Sequence, residues 1–212
     1  MTGKIVAVSQ QKGGSGKTTL SAHLAVALQP LGRIAILDVD PQGSLGEWFE
    51  KREARLGEEA TGLTFRTASG WGAKREARTL ARDHDLVVID TPPKSDLDAR
   101  YAVEAADLVI IPIQPSPVDL WASEATLTMV ERESVPALFV LNRVSARSSS
   151  ARAVIEAIEK LGRPISEARL GDRVAFASSM GIGSTAMESE PGSKAALEAL
   201  AIAMDVKRRL DV

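Results

Sequence analysis

The sequence has no cysteine in its 212 residues. This absence excludes disulfides, cysteine-ligated zinc and iron–sulfur clusters. Aromatic residues are also scarce, at 4% against 44% hydrophobic residues overall, so a core has to be built mostly from Ala, Val, Leu and Ile. A chain of this length and composition can bury such a core, and we expect one domain over residues 1–212.

Long apolar stretches and a strong charge imbalance are missing as well. No apolar stretch approaches the roughly 18 residues that a membrane-spanning helix requires. The first apolar run begins so early that no signal peptide is expected, and we therefore expect a cytoplasmic protein. The net charge of −2 does not by itself indicate nucleic acid, so any DNA binding has to depend on a local basic patch.

Short apolar runs without polar alternation recur along the chain. They are rich in β-branched residues, which is typical of strands covered on both faces. The five clear runs are residues 5–8, 34–37, 86–89, 108–111 and 137–141, and a weaker sixth, expected near a sheet edge, is 63–66. Helical stretches separate them, one of which is predicted to start at the serines 148–150 and end near Leu161. The pattern predicts an α/β fold with one doubly wound, mostly parallel sheet flanked by helices.

Residues 11–19, the glycine loop, read Gln-Lys-Gly-Gly-Ser-Gly-Lys-Thr-Thr. They lie between the first apolar run and a helical stretch that Gly32 is expected to end. Strand, glycine loop and helix together predict a phosphate-binding loop, with backbone N–H groups and Lys17 on the phosphates and the Thr18 hydroxyl on Mg²⁺. The standard motif needs glycine where Gln11 stands, and the loop carries a second lysine, Lys12. A Gly/Lys-rich surface turn is the alternative, but it does not account for the strand and helix on either side.

Acidic residues follow two of the predicted strands. Asp38 and Asp40 come after one strand, and Pro41 turns the chain so that both carboxylates can approach a phosphate or metal. Asp90 follows another strand, where a carboxylate can bind Mg²⁺. The carboxyl ends of parallel strands form the ligand-binding edge of such a sheet. Taken alone, either segment also suits a solvated turn.

These segments together resemble the ParA/MinD group of P-loop ATPases. The resemblance is carried by K-G-G-S-G-K-T-T in the loop, D-V-D-P-Q-G at 38–43 and D-T-P-P at 90–93, and it covers most of the chain. It implies a slow, partner-stimulated ATPase that uses ATP and Mg²⁺. The group contains an iron-protein branch that holds a cluster between subunits, and the lack of cysteine argues against that branch.

The resemblance also implies a role for individual residues. Lys12 reaches across a homodimer interface to the partner's phosphates, and Asp40 positions the attacking water, so that Lys12, Lys17 and Asp40 form the catalytic set. The implied metal set is Thr18, Asp38 and Asp90. The implied nucleotide-binding set is Gly13, Gly14, Ser15, Gly16, Lys17, Thr18, Thr19, Pro115 and Asn142. Hydrolysis that needs a partner's lysine is conditional on dimerisation, which is typical of a switch.

A short ParA-type protein of this kind partitions or positions a cargo, such as a plasmid, a chromosome region or a protein cluster. No helix-turn-helix precedes the first strand, so an autorepressor role is not expected. The resemblance implies non-specific binding of double-stranded DNA by the ATP dimer, association with the nucleoid in that state, and a ParB-like or cargo-bound activator. Residues 143–173 carry seven Lys or Arg and four Asp or Glu, a local net charge of +3. The candidate DNA contacts are Arg169, Arg173, Lys194, Lys207, Arg208 and Arg209. The alternative is that these cations are solvated or paired with neighbouring acids.

Two other functions stay open. A MinD-like, membrane-recruited regulator of division would need a terminal amphipathic helix. Residues 194–212 instead predict a stripe that packs on the domain, formed by Leu197, Leu200, Ala201, Met204 and Ala203. A metabolic ligase resembling dethiobiotin synthetase shares the fold, but Lys12 and the D-V-D-P-Q-G segment disfavour it. His23 is expected to be structural and His84 solvated, with neither of them catalytic.

Overall fold

The computed structural model describes residues 2–93, 96–145 and 149–211. Strands and helices alternate through most of this part of the chain. The strands are β1 (Lys4–Val8), β2 (Ile34–Asp38), β3 (Leu63–Thr67), β4 (Leu86–Asp90), β5 (Leu108–Ile113) and β6 (Ala137–Leu141). The helices are α1 (Lys17–Leu28), α2 (Ser44–Leu56), α3 (Trp71–Asp83), α4 (Asp96–Ala105), α5 (Pro117–Arg132), α6 (Ser149–Lys160), α7 (Val174–Gly181), α8 (Ala186–Ser189) and α9 (Lys194–Leu210).

The strands of the described residues form one sheet in the order β3-β2-β4-β1-β5-β6. Every neighbouring pair is parallel. The predicted strands and the position of β3 at an edge are confirmed. Because all strands point the same way, the segments that follow β1, β2, β4 and β5 meet at one edge of the sheet, where the chemical residues are concentrated.

Alternate residues of each strand face two separate layers of helices. In β1, Val6 and Val8 belong to the core that includes α1 and α9. Ile5 and Ala7 belong to the core on the opposite face, with α3, α4 and α6. Since both faces are covered, the strands read as continuous apolar runs without polar alternation.

Helix α1 begins at Lys17, directly after the glycine loop, and ends at Leu28. A single 3₁₀ turn, Gln29–Leu31, follows it, and Gly32 with φ of 150° ends the turn. The predicted stop at Gly32 is therefore confirmed. Helix α6 begins and ends close to its predicted bounds, although Ser148 of the predicted serine cap lies outside the described residues.

Helix α9 presents a different face to the core from the predicted one. Leu197, Leu200 and Met204 are 57%, 38% and 45% exposed. The buried face consists of Ala195, Ala196, Ala199, Ile202, Ala203, Val206 and Leu210. The predicted stripe was thus wrong, except for Ala203. Small alanine side chains allow α9 to approach α1 closely, and this packing selects the alanine-rich face over the leucine face. Among the described residues no helix is both long enough and apolar enough to cross a bilayer.

Candidate nucleotide site

Two glycines give the glycine loop its shape. Gly14 and Gly16 have φ of +73° and +94°, in the region that side chains other than glycine rarely adopt. Gly16 is the residue before α1. A Cβ atom at Gly16 would overlap the side-chain amide of Asn142. This amide donates a 2.7 Å hydrogen bond to the Ser15 carbonyl, so Asn142 supports the loop from beneath.

Lys17, the first residue of α1, is buried at the bottom of the loop. Burial lowers the pKa of its ammonium group, while the charges of Asp90 and Asp40 act in the opposite direction. A lysine held in this way remains a hydrogen-bond donor close to where the loop amides converge. Such a group is suited to neutralising a phosphate chain.

Asp90, at the end of β4, lies beside the start of α1. Its carboxylate accepts hydrogen bonds from the Thr18 hydroxyl at 2.7 Å and from the Ser21 hydroxyl at 3.1 Å. Burial raises the pKa of Asp90 to about 7, which the bond from Thr18 partly opposes. Ser21 was not among the predicted site residues. It lies four residues after Lys17 on α1, and that helical spacing is the signal that could have revealed it.

Asp38 is paired in register with Asp90 across β2 and β4. Its carboxylate accepts backbone N–H groups of Asp40 at 3.0 Å and Gly46 at 3.1 Å. Burial raises the pKa of Asp38. Asp38 therefore shapes the turn after β2 from inside, and Asp40 lies at the wall of the same cleft as Lys17.

Lys12 forms an ion pair within its own chain. Its Nζ lies 2.7 Å from Oδ2 of Asp119, a buried residue in the first turn of α5. The N-cap Ser116 accepts the backbone N–H of Asp119 at 3.2 Å and donates its own hydroxyl to the same carboxylate. Asp119 was not predicted to contact Lys12, because 107 residues separate the two along the chain and no local pattern signals the contact.

The glycine loop opens into a cleft of about 670 Å³. The predicted residues on its wall are Gly13, Gly14, Gly16, Lys17, Thr18, Thr19 and Asp40. Arg143, Met180 and Gly181 also line it and were missed. Arg143 has an unusual φ of +53° and directly follows Asn142. Since left-handed backbone at a non-glycine residue is often associated with function, Arg143 is a candidate contact for the nucleotide.

Two predicted nucleotide contacts lie away from this wall. Asn142 is buried under the loop, with its Oδ1 accepting the N–H of Arg143 at 2.8 Å. Pro115 follows Gln114, and Gln114 donates to the Gly14 carbonyl at 3.1 Å. Both residues are placed to support the loop, so direct contact with a base remains a prediction that the geometry does not favour.

Neither histidine faces the cleft. His23 Nδ1 lies 2.8 Å from the Thr19 carbonyl, and its Nε2 accepts the backbone N–H of Ala186 at 3.0 Å. Burial lowers the pKa of His23 to about 4, so the ring is neutral and structural, as predicted. His84 was expected to be solvated. Its ring nitrogens instead lie 2.9 Å from the Leu80 carbonyl and 2.7 Å from the Thr64 hydroxyl, linking α3 to β3.

Half of the candidate DNA-contacting cations are paired with acids. Arg173 forms two hydrogen bonds with the carboxylate of Glu198. Arg208 and Arg209 both pair with Asp205, at 2.7 and 3.1 Å. Within the described part of the chain, Arg169, Lys194 and Lys207 form no ion pair. The paired alternative therefore holds for three of the six.

The donor set fits a nucleoside triphosphate with Mg²⁺. Gly14 leaves open space where a side chain would stand, and Lys17 supplies a buried cation. The described residues include no cluster of three or more acidic or histidine side chains that could hold a metal by themselves. Mg²⁺ commonly uses one or two protein groups and completes its shell with phosphate oxygens and water, and Thr18 with Asp90 meets that need.

The parallel sheet and the glycine loop at its edge define a P-loop nucleotide-binding domain. The family model described as the CobQ/CobB/MinD/ParA nucleotide binding domain matches residues 6–185. The chain belongs to this family.

The chain is also similar to particular members. It is 35% identical over 167 residues to maintenance of carboxysome distribution protein A of Halothiobacillus neapolitanus, covering 76% of each chain. It is 28% identical over 207 residues to sporulation initiation inhibitor protein Soj of Bacillus subtilis, covering 76% of this chain and 81% of Soj. A solved ATP complex of McdA from Cyanothece superposes with a TM-score of 0.80 at 17% identity, covering 99% of this chain and 97% of that one. At that identity the likeness shows the fold alone.

Proposed function

We propose that the chain is a ParA-type ATPase switch that binds ATP and Mg²⁺, dimerises, and positions a cargo on DNA. The observation that carries the proposal is the glycine loop with two lysines in different environments. Lys17 is buried at the phosphate site, whereas Lys12 is directed to Asp119 and away from it. The similarity to the Halothiobacillus carboxysome distribution protein supports a positioning role.

In this proposal the loop amides and Lys17 hold the β- and γ-phosphates, and Thr18 with Asp90 holds the metal. Mg²⁺, when bound, bridges phosphate oxygens and offsets their charge. Asp40, on the cleft wall, orients the attacking water. Lys12 leaves Asp119 and neutralises charge that develops on the partner's phosphates. Arg143 contacts the nucleotide from the opposite wall.

DNA binding is the proposed output of the dimer. Arg169, Lys194 and Lys207 are the strongest candidate contacts, since no carboxylate neutralises them in the described structure. Two copies double the number of phosphate contacts, and affinity for DNA rises steeply with that number. A cargo-bound activator completes the cycle by accelerating hydrolysis. The proposed location is therefore the cytoplasm, on the nucleoid while ATP is bound.

The test measures ATP turnover, the dimer by light scattering, and binding of a random-sequence duplex, each with ATP, ADP or no nucleotide. Lys12→Ala should lose hydrolysis and the ATP-dependent dimer. Asp40→Ala should bind ATP and dimerise but fail to hydrolyse. Lys160→Ala, at the exposed end of α6, is the matched control and should behave as the unaltered chain. A Lys12→Ala protein that still dimerises with ATP would remove the across-interface role.

One observation favours a second function, recruitment to a membrane. The exposed face of α9 carries Leu197, Leu200 and Met204, with Arg208 beyond them. An apolar stripe with cations can bind an anionic bilayer surface. Co-sedimentation with anionic liposomes, with and without ATP, tests this alternative. ATP-dependent pelleting that Leu197→Ser abolishes would support it over DNA binding.

A further inference from the structure

The first turns of α5 expose two large apolar side chains beside the ion pair of Lys12. Val118 is 57% exposed and Trp121 is 64% exposed. They are three residues apart and therefore adjacent on the helix surface. Between them in sequence lies Asp119, whose buried carboxylate holds Lys12. Single exposed apolar residues are ordinary, but a tryptophan and a valine that flank a functional ion pair form a patch.

The exposed stripe continues along α5 at helical spacing. Val118, Trp121, Ala125 and Thr128 make up what we call the α5 surface, and all four are exposed. Ala125 and Thr128 line a cavity of about 670 Å³ together with Leu97 of α4, which is 62% exposed, and Gln11 of the glycine loop. The α5 surface is therefore continuous with the loop that carries Lys12.

Charges beside the α5 surface are neutralised within the chain. Asp119 is paired with Lys12. Arg100, which lines the same cavity, pairs with Glu133 at 2.7 Å. An uncharged apolar surface with internally paired charges can meet an identical surface without like-charge repulsion. A two-fold interface requires that self-complementarity, because the same patch is present on both subunits.

We infer that the α5 surface is covered by a second copy of this chain when ATP is bound. The inference rests on the proposed function, in which Lys12 serves the partner's phosphates. Lys12 can only do so if the partner approaches the part of the surface where Lys12 lies, at the first turn of α5. Trp121 then becomes an anchor of the dimer, and Asp119 holds Lys12 ready for transfer in the single chain.

The three tryptophans allow a direct test. Trp48 is buried, at 2% exposure, whereas Trp71 is 68% exposed. Trp71 begins α3 after the edge strand β3, three strands away from β1, whereas α5 follows β5, the direct neighbour of β1. Acrylamide quenching is measured on Trp71→Phe, which leaves Trp121 as the accessible reporter, and on Trp121→Phe, which leaves Trp71. Each protein is studied with ADP or a non-hydrolysable ATP analogue, and light scattering records the oligomeric state of the same samples.

The expected result is an analogue-dependent dimer in which quenching of Trp121 falls several-fold while quenching of Trp71 is unchanged. Trp121→Ala should weaken the dimer about 10- to 30-fold in Kd, as for a hot-spot residue, and Trp71→Ala should leave the Kd unchanged. Both tryptophans are exposed, and circular dichroism checks that each variant is folded.

Two results would overturn the inference. A dimer that forms with Trp121 still fully quenched places the interface elsewhere and leaves the α5 surface free for a different protein, while the proposed ATP-dependent dimer stands. No dimer with the analogue at any concentration overturns the proposed function and the α5 interface with it.

Discussion

The side-chain amide of Asn142 occupies the space that a Cβ atom at Gly16 would need. The two residues are 126 positions apart in sequence, and β6 and the glycine loop bring them into contact. Asn142 donates to the carbonyl of Ser15, so the loop is held in place from the end of a neighbouring part of the sheet. The conformation of the loop therefore depends on the whole fold and not on its glycines alone.

Gly16→Ala should destabilise the protein and abolish nucleotide binding. The φ of +94° disfavours alanine, and its methyl group would displace Asn142. We expect a loss of more than about 1 kcal/mol in the free energy of unfolding. Urea unfolding and binding of a fluorescent ATP analogue measure the two effects. Gly72→Ala is the control, since Gly72 lies in α3 with open space around it, and it should stabilise by up to about 1 kcal/mol. Unchanged nucleotide affinity in Gly16→Ala would contradict the role of the contact.

Arg52→Ala should be strongly destabilising. Arg52 is buried, donates from two nitrogens to Glu188 at 2.9 Å and to the Thr61 carbonyl at 3.1 Å, and lies over the ring of Trp48. Removing the guanidinium leaves Glu188 and the carbonyl unpaired, at a cost of about 3 kcal/mol. Urea unfolding checks this value. Arg208→Ala removes a side chain that is 75% exposed and should change stability by less than about 0.5 kcal/mol. Equal effects of the two substitutions would count against the buried pair.

The stability of the protein should fall as the pH is lowered from about 6.5 to about 4, partly through His23. Burial lowers the pKa of His23 from 6.5 to about 4 in the folded chain. Between these values the unfolded chain binds a proton that the folded chain does not, so acidification favours unfolding, by roughly 3 kcal/mol at most. His23→Gln removes this titration. Urea unfolding at pH 4.5 and 7 should show a smaller pH dependence for the variant than for the unaltered chain. If both proteins have the same dependence, His23 is not the group responsible.

Substitution of the unpaired cations should change the salt dependence of DNA binding more than substitution of the paired ones. A cation on a phosphate contributes about one to the slope of log K against log salt. Lys207→Ala should lower the slope by that amount for each contact. Arg173→Ala should lower it less, because Glu198 already neutralises the guanidinium. Fluorescence anisotropy with a random duplex at several salt concentrations measures both, with ATP present. A larger slope change for Arg173→Ala would mean that its ion pair opens on DNA.

The sequence allowed the strands and the catalytic edge to be predicted because both depend on local signals. A strand covered on two faces is apolar throughout, and the glycine loop and the acids at 38, 40 and 90 lie next to such runs. Contacts between distant segments were missed, including Lys12 with Asp119 and Asn142 with Ser15. The face of α9 was assigned wrongly because the helix carries both a leucine stripe and an alanine stripe. Side-chain size at the contact with α1 decides between them, and periodicity does not report it.

Helix α1 connects the glycine loop mechanically to the C-terminal helices. Its first turn carries Lys17 and Thr18, its middle is bonded to the start of α8 through His23 and Ala186, and its length packs on α9. A tilt of α1 at its phosphate end would therefore move α9 as a lever moves its load, without any strand changing place. The nucleotide and the outer cations of α9 are attached to the two sides of one rigid rod.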